Sequence, residues 1–185
     1  MIAPSRPLPK PESDEVLVEH TARGDVGAFE ELVDRYQLRA LRLAFRFVND
    51  FQESEDLAQE AFLRVFRNAR RYNHSARFQT WFFQILINLC RDWLKKKKPI
   101  LFGEPPALTT PADLSEALDR ARRNKMVEAA IQSLPVNQRL ALVLCHYEEM
   151  SYRDASAILG NSEKAVEALL VRARRTLRVR LAEFR

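Results

Sequence analysis

SYRDASAILGNSEKAVEALLVRARRTLRVRL, residues 151–181, decides how this chain is read. Ser151 can cap a helix, and Asp154 three positions on gives the pattern of a capping box. Ala155, Ile158 and Leu159 share the inner face of a short helix. Gly160 stops that helix in a left-handed conformation, and Ser162 caps the next one. Two helices joined by so tight a glycine-containing turn form a helix-turn-helix. On the second helix Val166, Leu169, Leu170, Ala173, Leu177 and Leu181 fall on the inner face. Lys164, Glu167, Ala168, Val171, Arg172, Arg175 and Arg178 fall on the outer one. Small side chains at Ala168 and Val171 let a helix approach base edges, while arginines take phosphates or guanine edges. In this kind of docking the N-terminal part of the second helix enters a major groove. By pattern alone, the alternative is a solvated basic face on an ordinary bundle helix.

Working upstream, apolar residues keep a helical period through most of the chain. A short helix is expected near residues 15–22. A longer one over 25–48 carries Phe29, Leu32, Val33, Tyr36, Leu43, Ala44 and Phe47. Residues 49–53 break the pattern. A helix over 54–71 follows, with Leu57, Ala61, Phe62, Val65 and Ala69 inward, then a polar loop from Tyr72 to Arg77. The next helix, over 78–96, places Phe78, Trp81, Phe82, Ile85, Leu89 and Trp93 inside, the aromatics mainly as core. Lys95 to Lys98 and Pro99 close this first unit. Prolines at 99, 105, 106 and 111 mark a linker. Helices over 114–133 and 137–148 lead into the helix-turn-helix, whose own helices cover 152–159 and 163–183. The expected fold is all-α. Residues 1–13 form a Pro-rich disordered tail, 14–98 one helical domain, 99–113 a flexible linker and 114–185 a second domain.

Charge is distributed in blocks. The 185 residues carry a net +5, which alone says little. Between Glu12 and Glu60 there are 13 acidic and 5 basic residues. Between Arg64 and Lys98 there are 10 basic residues against one acidic, and from Lys164 to Arg185 there are 7 against 2. An acidic block ahead of two basic ones suits one basic partner and one polyanion. Cys90 and Cys145 sit in apolar helical patterns and read as buried free thiols. No signal peptide or apolar run of membrane-spanning length is visible, so a cytoplasmic protein without membrane insertion is expected.

Two blocks resemble the extracytoplasmic-function (ECF) sigma factors of bacterial RNA polymerase. EDLAQEAFLRVFRNARRY with FQTWFFQILINLCRDWLKKKK is similar to sigma region 2. LPVNQRLALVLCHYEEMSYRDASAILGNSEKAVEALLVRARRTLR is similar to region 4. The resemblance covers residues 14–183, and the order and spacing of the blocks fit. It implies binding to core RNA polymerase through the D-L-x-Q-E positions Asp56, Leu57, Gln59 and Glu60. It implies recognition and opening of the −10 promoter element by the loop residues Tyr72, Asn73, His74, Ser75 and Arg77, joined by Asn88, Arg91 and Lys95. Rings that stack on bases and cations that follow phosphates suit an unpaired strand, and Tyr72 is the better stacking candidate. It implies reading of the −35 element by Ser162, Lys164, Glu167, Ala168, Val171, Arg172 and Arg175. Glu167 stands where the family often has a basic residue, and Ala168, Ala165 and Asn161 also depart. Glu167 can accept a hydrogen bond from cytosine N4, or point away, or pair with an arginine of its own helix. An anti-sigma factor is a further implied partner.

No catalytic constellation is found. His20, His74 and His146 are scattered, Cys145 and His146 are adjacent rather than at a zinc spacing, and no phosphate-binding loop or nucleophile motif occurs. No cofactor, metal or enzymatic activity is expected. An autonomous helix-turn-helix regulator is the alternative function; a nucleic-acid enzyme is disfavoured.

Overall fold

A computed structural model describes residues 12–96 and 114–182, with side chains from residue 123 in the second stretch. The Pro-rich tail up to residue 11, the 99–113 linker with Lys97 and Lys98, and the last three residues lie outside the described residues. Eight α-helices and no strand occur among the described residues. They are α1 (Asp14–Ala22), α2 (Val26–Val48), α3 (Phe51–Asn68), α4 (Phe78–Lys96), α5 (Leu114–Gln132), α6 (Val136–Leu142), α7 (Tyr152–Leu159) and α8 (Glu163–Ala182). A 3-10 turn, Ala69–Arg71, extends α3, and a π-helical turn, Val143–Tyr147, extends α6. No described helix is long and apolar enough to cross a membrane.

Side-chain caps explain most of the boundaries. Asp25 accepts from the Ala28 amide at 3.1 Å and starts α2. Between α2 and α3 the chain turns in two residues, not the five expected. Asn49 takes a left-handed conformation (φ 51°), and Asp50 accepts from the Glu53 amide at 3.1 Å. Asparagine tolerates that conformation, so no glycine is needed and the helical ladder resumes at Phe51. Around this hinge α1 to α4 bury a core of aromatic rings. Tyr36, Phe62, Phe78, Phe82 and Phe83 are all under 8% exposed. The phenol of Tyr36 donates to Asp14, which also pairs with Arg35 at 2.6 Å, tying α1 to α2. Burial first, then the Asp14 carboxylate, pushes that phenol well above the usual range.

In the second half Ser151 accepts from the Asp154 amide at 3.1 Å, while its hydroxyl donates to the Asp154 carboxylate at 2.5 Å. The cap forms, and the carboxylate answers the hydroxyl rather than the Ser151 amide. Gly160 adopts φ 67°, ψ 36°, and Ser162 accepts from the Ala165 amide at 3.2 Å. A Cβ on Gly160 meets nothing within 4 Å, so a substitution there strains the backbone alone. Gly160→Val is expected to cost about 1–2 kcal/mol, with Gly160→Asn costing clearly less; urea melts compare the two.

Cys90 is buried and desolvation pushes its thiol up to about 12, so it is an inert core group. Cys145 is only half-buried, which corrects the expectation for it: the π-helical turn shifts its position relative to a regular helix. The two helical groups also touch. Helix α4 packs on α7 and α2 on α5, and one continuous apolar cluster runs from Leu17 to Ala173.

Candidate nucleic-acid interface

Residues Tyr72 to Arg77 form a small closed loop ahead of α4. The Tyr72 hydroxyl donates to the Ala76 carbonyl at 2.7 Å. The Asn73 carboxamide oxygen accepts from the Ser75 amide at 3.1 Å and hydroxyl at 2.6 Å, an Asx turn. His74 follows with φ 58° and lies 3.0 Å from a Glu19 oxygen. Helix α1 pins both ends of the loop. Glu15 accepts from the Phe78 amide at 3.1 Å and caps α4, and the Ala22 carbonyl accepts from Arg70 at 3.1 Å. A carboxylate at a helix start is favourable because the first amides are otherwise unpaired.

Tyr72 is half-buried between rings, with centroids 4.7 Å from His74 and 5.2 Å from Trp81. Burial, helped by Glu15 and Asp14, raises its phenol to about 12, so it stays a neutral donor. Beyond Trp81 opens a cleft of about 260 Å³ lined by Arg64, Asn68, Arg71, Trp81, Ile85 and Asn88. Three of its walls come from the end of α3, and three from the outer face of α4. The cleft lining carries the guanidinium groups of Arg64, which also pairs with Glu60, and of Arg71, and no carboxylate. A polyanion is therefore favoured on the cleft side.

The structure groups Tyr72, Asn73, His74, Ser75 and Arg77 in the loop, with Asn88 in the adjoining cleft. Arg91 is half-buried one turn further along α4, and Lys95 is exposed, 3.2 Å from Asp92. Three inner-face assignments on α4 change, Ile85 among them, which is half-buried and lines the cleft. Trp81 is a half-buried cleft wall, and Trp93 is half-buried with its indole N–H donating to Glu53 at 2.7 Å. Arg64, Asn68 and Arg71 were missed because the inward stripe of α3 draws attention to its other face. Their spacing of four and three residues, which puts them on one side of the helix end, was the available signal.

On α8, Lys164, Glu167, Val171, Arg172 and Arg175 are exposed and Ala168 half-buried, as the pattern requires. Ser162 is exposed, its side chain engaged in the cap. Among the described residues Glu167 forms no ion pair, so the pairing with an arginine of its own helix is not seen. On α3, Asp56 and Gln59 are exposed, and Glu60 pairs with Arg64 at 2.8 Å. Leu57 is half-buried, as Glu60 is, and packs against the core cluster at the edge of this strip. Two further apolar side chains lie on the outward strip, Leu63 and Phe66, each 45% exposed.

Residues 32–100 match Sigma-70 region 2, and residues 124–177 match Sigma-70, region 4. The chain is 33% identical to the RNA polymerase sigma-H factor of Pseudomonas aeruginosa, covering 90% of this chain and 92% of that protein. The chain belongs to the ECF sigma factors. It is also 28% identical to the ECF RNA polymerase sigma factor SigW of Bacillus subtilis over 90% of this chain and 96% of that one. Among solved structures it is similar to CnrH in complex with the cytosolic domain of CnrY, with a TM-score of 0.73, 26% identity, and coverage of 93% and 99%. As a sigma factor, the chain binds core RNA polymerase, recognises −10 and −35 promoter elements and promotes strand opening. The region 2 match runs from within α2 to the end of α4, and with it the loop and the cleft; the region 4 match runs through α7 and most of α8.

Proposed function

We propose that three surfaces of this sigma factor divide the work. The α3 strip around Asp56, Leu57, Gln59 and Glu60, with Leu63 and Phe66, docks on core polymerase. The Tyr72–Arg77 loop and the cleft lined by Arg71, Trp81 and Asn88 hold the unpaired non-template strand of the −10 element, with Arg91 and Lys95 following phosphates. The outer face of α8, from Ser162 through Lys164, Glu167, Ala168, Val171 and Arg172 to Arg175, reads the −35 element. The working units are residues 14–98 and 114–185. The chain acts in the cytoplasm, where its polymerase is, and is not itself an enzyme. An anti-sigma protein is a natural partner: the similar CnrH was solved with the cytosolic domain of CnrY.

The observation that carries this reading is the cleft beside the loop. It combines two guanidinium groups, an indole and a carboxamide next to a stacked tyrosine, which suits single-stranded bases and suits nothing in a plain helix-turn-helix regulator. Opening a duplex then needs no bond chemistry; the strand binds better when unpaired. Run-off transcription with bacterial core enzyme and promoters from the chain's own operon tests it. Transcripts that depend on both proteins support the reading. Specific duplex binding without polymerase, and no transcript with it, contradicts the reading.

The α8 assignment has its own test. Arg172→Ala is expected to weaken −35 duplex binding by about 1–3 kcal/mol with relaxed selectivity at one base pair if the guanidinium reads a base. A phosphate contact predicts uniform weakening across sequences and a salt slope shallower by about one. No effect in either measure removes Arg172 from the interface. Duplex titrations at two salt concentrations give the answer.

A further inference from the structure

Helix α1 precedes the residues that match Sigma-70 region 2, and none of the three surfaces above includes it. Yet it holds the Tyr72–Arg77 loop at three points. Glu15 accepts from the Phe78 amide at 3.1 Å, where the loop ends and α4 begins. The Ala22 carbonyl accepts from Arg70 at 3.1 Å, just ahead of the loop. Glu19 reaches the middle: His74 Nε2 lies 3.0 Å from its Oε1, within hydrogen-bond reach. His74 has φ 58°, a left-handed backbone that a histidine keeps only where its surroundings hold it there. The other Glu19 oxygen accepts from Arg23 of the same helix at 3.4 Å, which leaves Oε1 to the loop. Glu19 does not line the cleft beside Trp81. It lines a separate notch of about 190 Å³, with Arg23, Arg70 and Tyr72 among its walls.

We propose that Glu19 is a positioning residue for strand capture: through His74 it holds the Tyr72–Arg77 loop in the shape that receives the unpaired −10 strand. The statement rests on the promoter reading of that loop given above. A loop that becomes ordered only when the strand arrives loses conformational freedom at the binding step, and affinity falls accordingly. A loop already tied to α1 has lost that freedom during folding. The tie also predicts a sign that plain electrostatics does not. A carboxylate near a polyanion lowers affinity, so deleting one should tighten binding. Arg23, released from its pair, pushes the same way. Where Glu19 positions the loop, its deletion weakens binding instead. The Glu19 and His74 side chains are 44% and 46% exposed. A pair so open to solvent adds little to global stability, and its effect belongs to the loop.

The test uses the full chain, free and in complex with bacterial core polymerase. The probe is a promoter from the chain's own operon with its −10 stretch mismatched, so that the strand is already unpaired. Glu19→Ala holoenzyme is expected to bind this probe about three- to ten-fold more weakly than wild type, the range of one hydrogen bond. In a His74→Ala background Glu19→Ala should cost nothing further, since the tie is already gone. Thermal midpoints of Glu19→Ala and wild type should agree within about 3 °C, as for other exposed substitutions. Hydrogen exchange on the free chain should find the amides of residues 73–77 opening at least about three-fold faster in Glu19→Ala, with the core of α4 unchanged. Equal or tighter probe binding by Glu19→Ala overturns the proposal. So does a loss that persists undiminished in the His74→Ala background, a midpoint lowered beyond that margin, or loop exchange as slow as in wild type. Exchange needs no promoter. A wild-type holoenzyme that ignores the probe contradicts the promoter reading, while the exchange rates still decide whether α1 orders the loop.

Discussion

Phe82→Ala is expected to destabilise the front helical group by about 3–5 kcal/mol, the largest stability loss of any single truncation in the aromatic core. Phe82 has no exposed surface. Its ring meets Phe62 at 4.9 Å, Tyr36 and Phe83 at 5.4 Å, and stacks with Phe78 at 6.0 Å. Those partners come from α2, α3 and α4, so the cavity left by alanine has walls on three helices. None can move in without losing contacts of its own. Since a domain is stable by only about 5–15 kcal/mol, the loss takes a large share of the whole. Thermal melts followed by circular dichroism should show a midpoint lower by at least about 12 °C. Trp81→Ala, one residue earlier and about 100° round α4, half-buried at the cleft, should cost much less stability while weakening strand binding. If both variants melt alike, the division between core and cleft on this helix is wrong.

That division marks how far the sequence could be read. Helical periodicity identifies which face of a helix is covered, and it placed Phe78, Phe82, the inner face of α7 and, on α8, Val166, Leu170 and Ala173 as the structure has them, while Leu169, Leu177 and Leu181 are only half-buried. It does not say what covers the face or how completely. Trp81 and Trp93 have core spacing but sit at the margin of the core, one lining a cleft and the other tethered to Glu53. Local capping chemistry was equally legible, because Ser151, Gly160 and Ser162 act within four residues of themselves. Asn49 and Asp50 carry the same information, yet a left-handed asparagine is a weaker mark than a glycine, and the break was drawn too long. Contacts between distant positions leave no local trace. Arg39 and Glu148 pair across 109 positions, each reads as an ordinary polar residue, and nothing in either neighbourhood announces the other. The packing of the two helical groups was therefore invisible, while the helices that form it were not.

The outward strip of α3 carries the second large effect. Leu63→Asp is expected to weaken binding to core polymerase by about 30-fold or more, which corresponds to a hot-spot loss of at least about 2 kcal/mol. Residues 52, 56, 59, 60, 63, 66 and 67 fall on one side of the helix. Gln52, Asp56, Gln59 and Arg67 are exposed there, and Leu63 stands among them at 45% exposure with Phe66 beside it. Phe66 is partly supported by Phe29, whose ring lies 5.0 Å away, so it presents a fixed edge. Leu63 has the position of an apolar anchor inside a polar rim, the arrangement in which a few central residues carry most of an interface's energy. An aspartate there gives up the apolar contact and forces a charge to be desolvated against the partner. It does so on an exposed helix position, so folding is left nearly untouched. Asp56→Asn acts differently: a rim charge mainly alters the association rate and its salt dependence, and the loss should shrink as salt rises. Binding of the chain to a −35 duplex, which uses α8, should be unaffected by either change. Polymerase binding by Leu63→Asp within two-fold of wild type, with the helix content intact, would move the docking surface off α3 altogether.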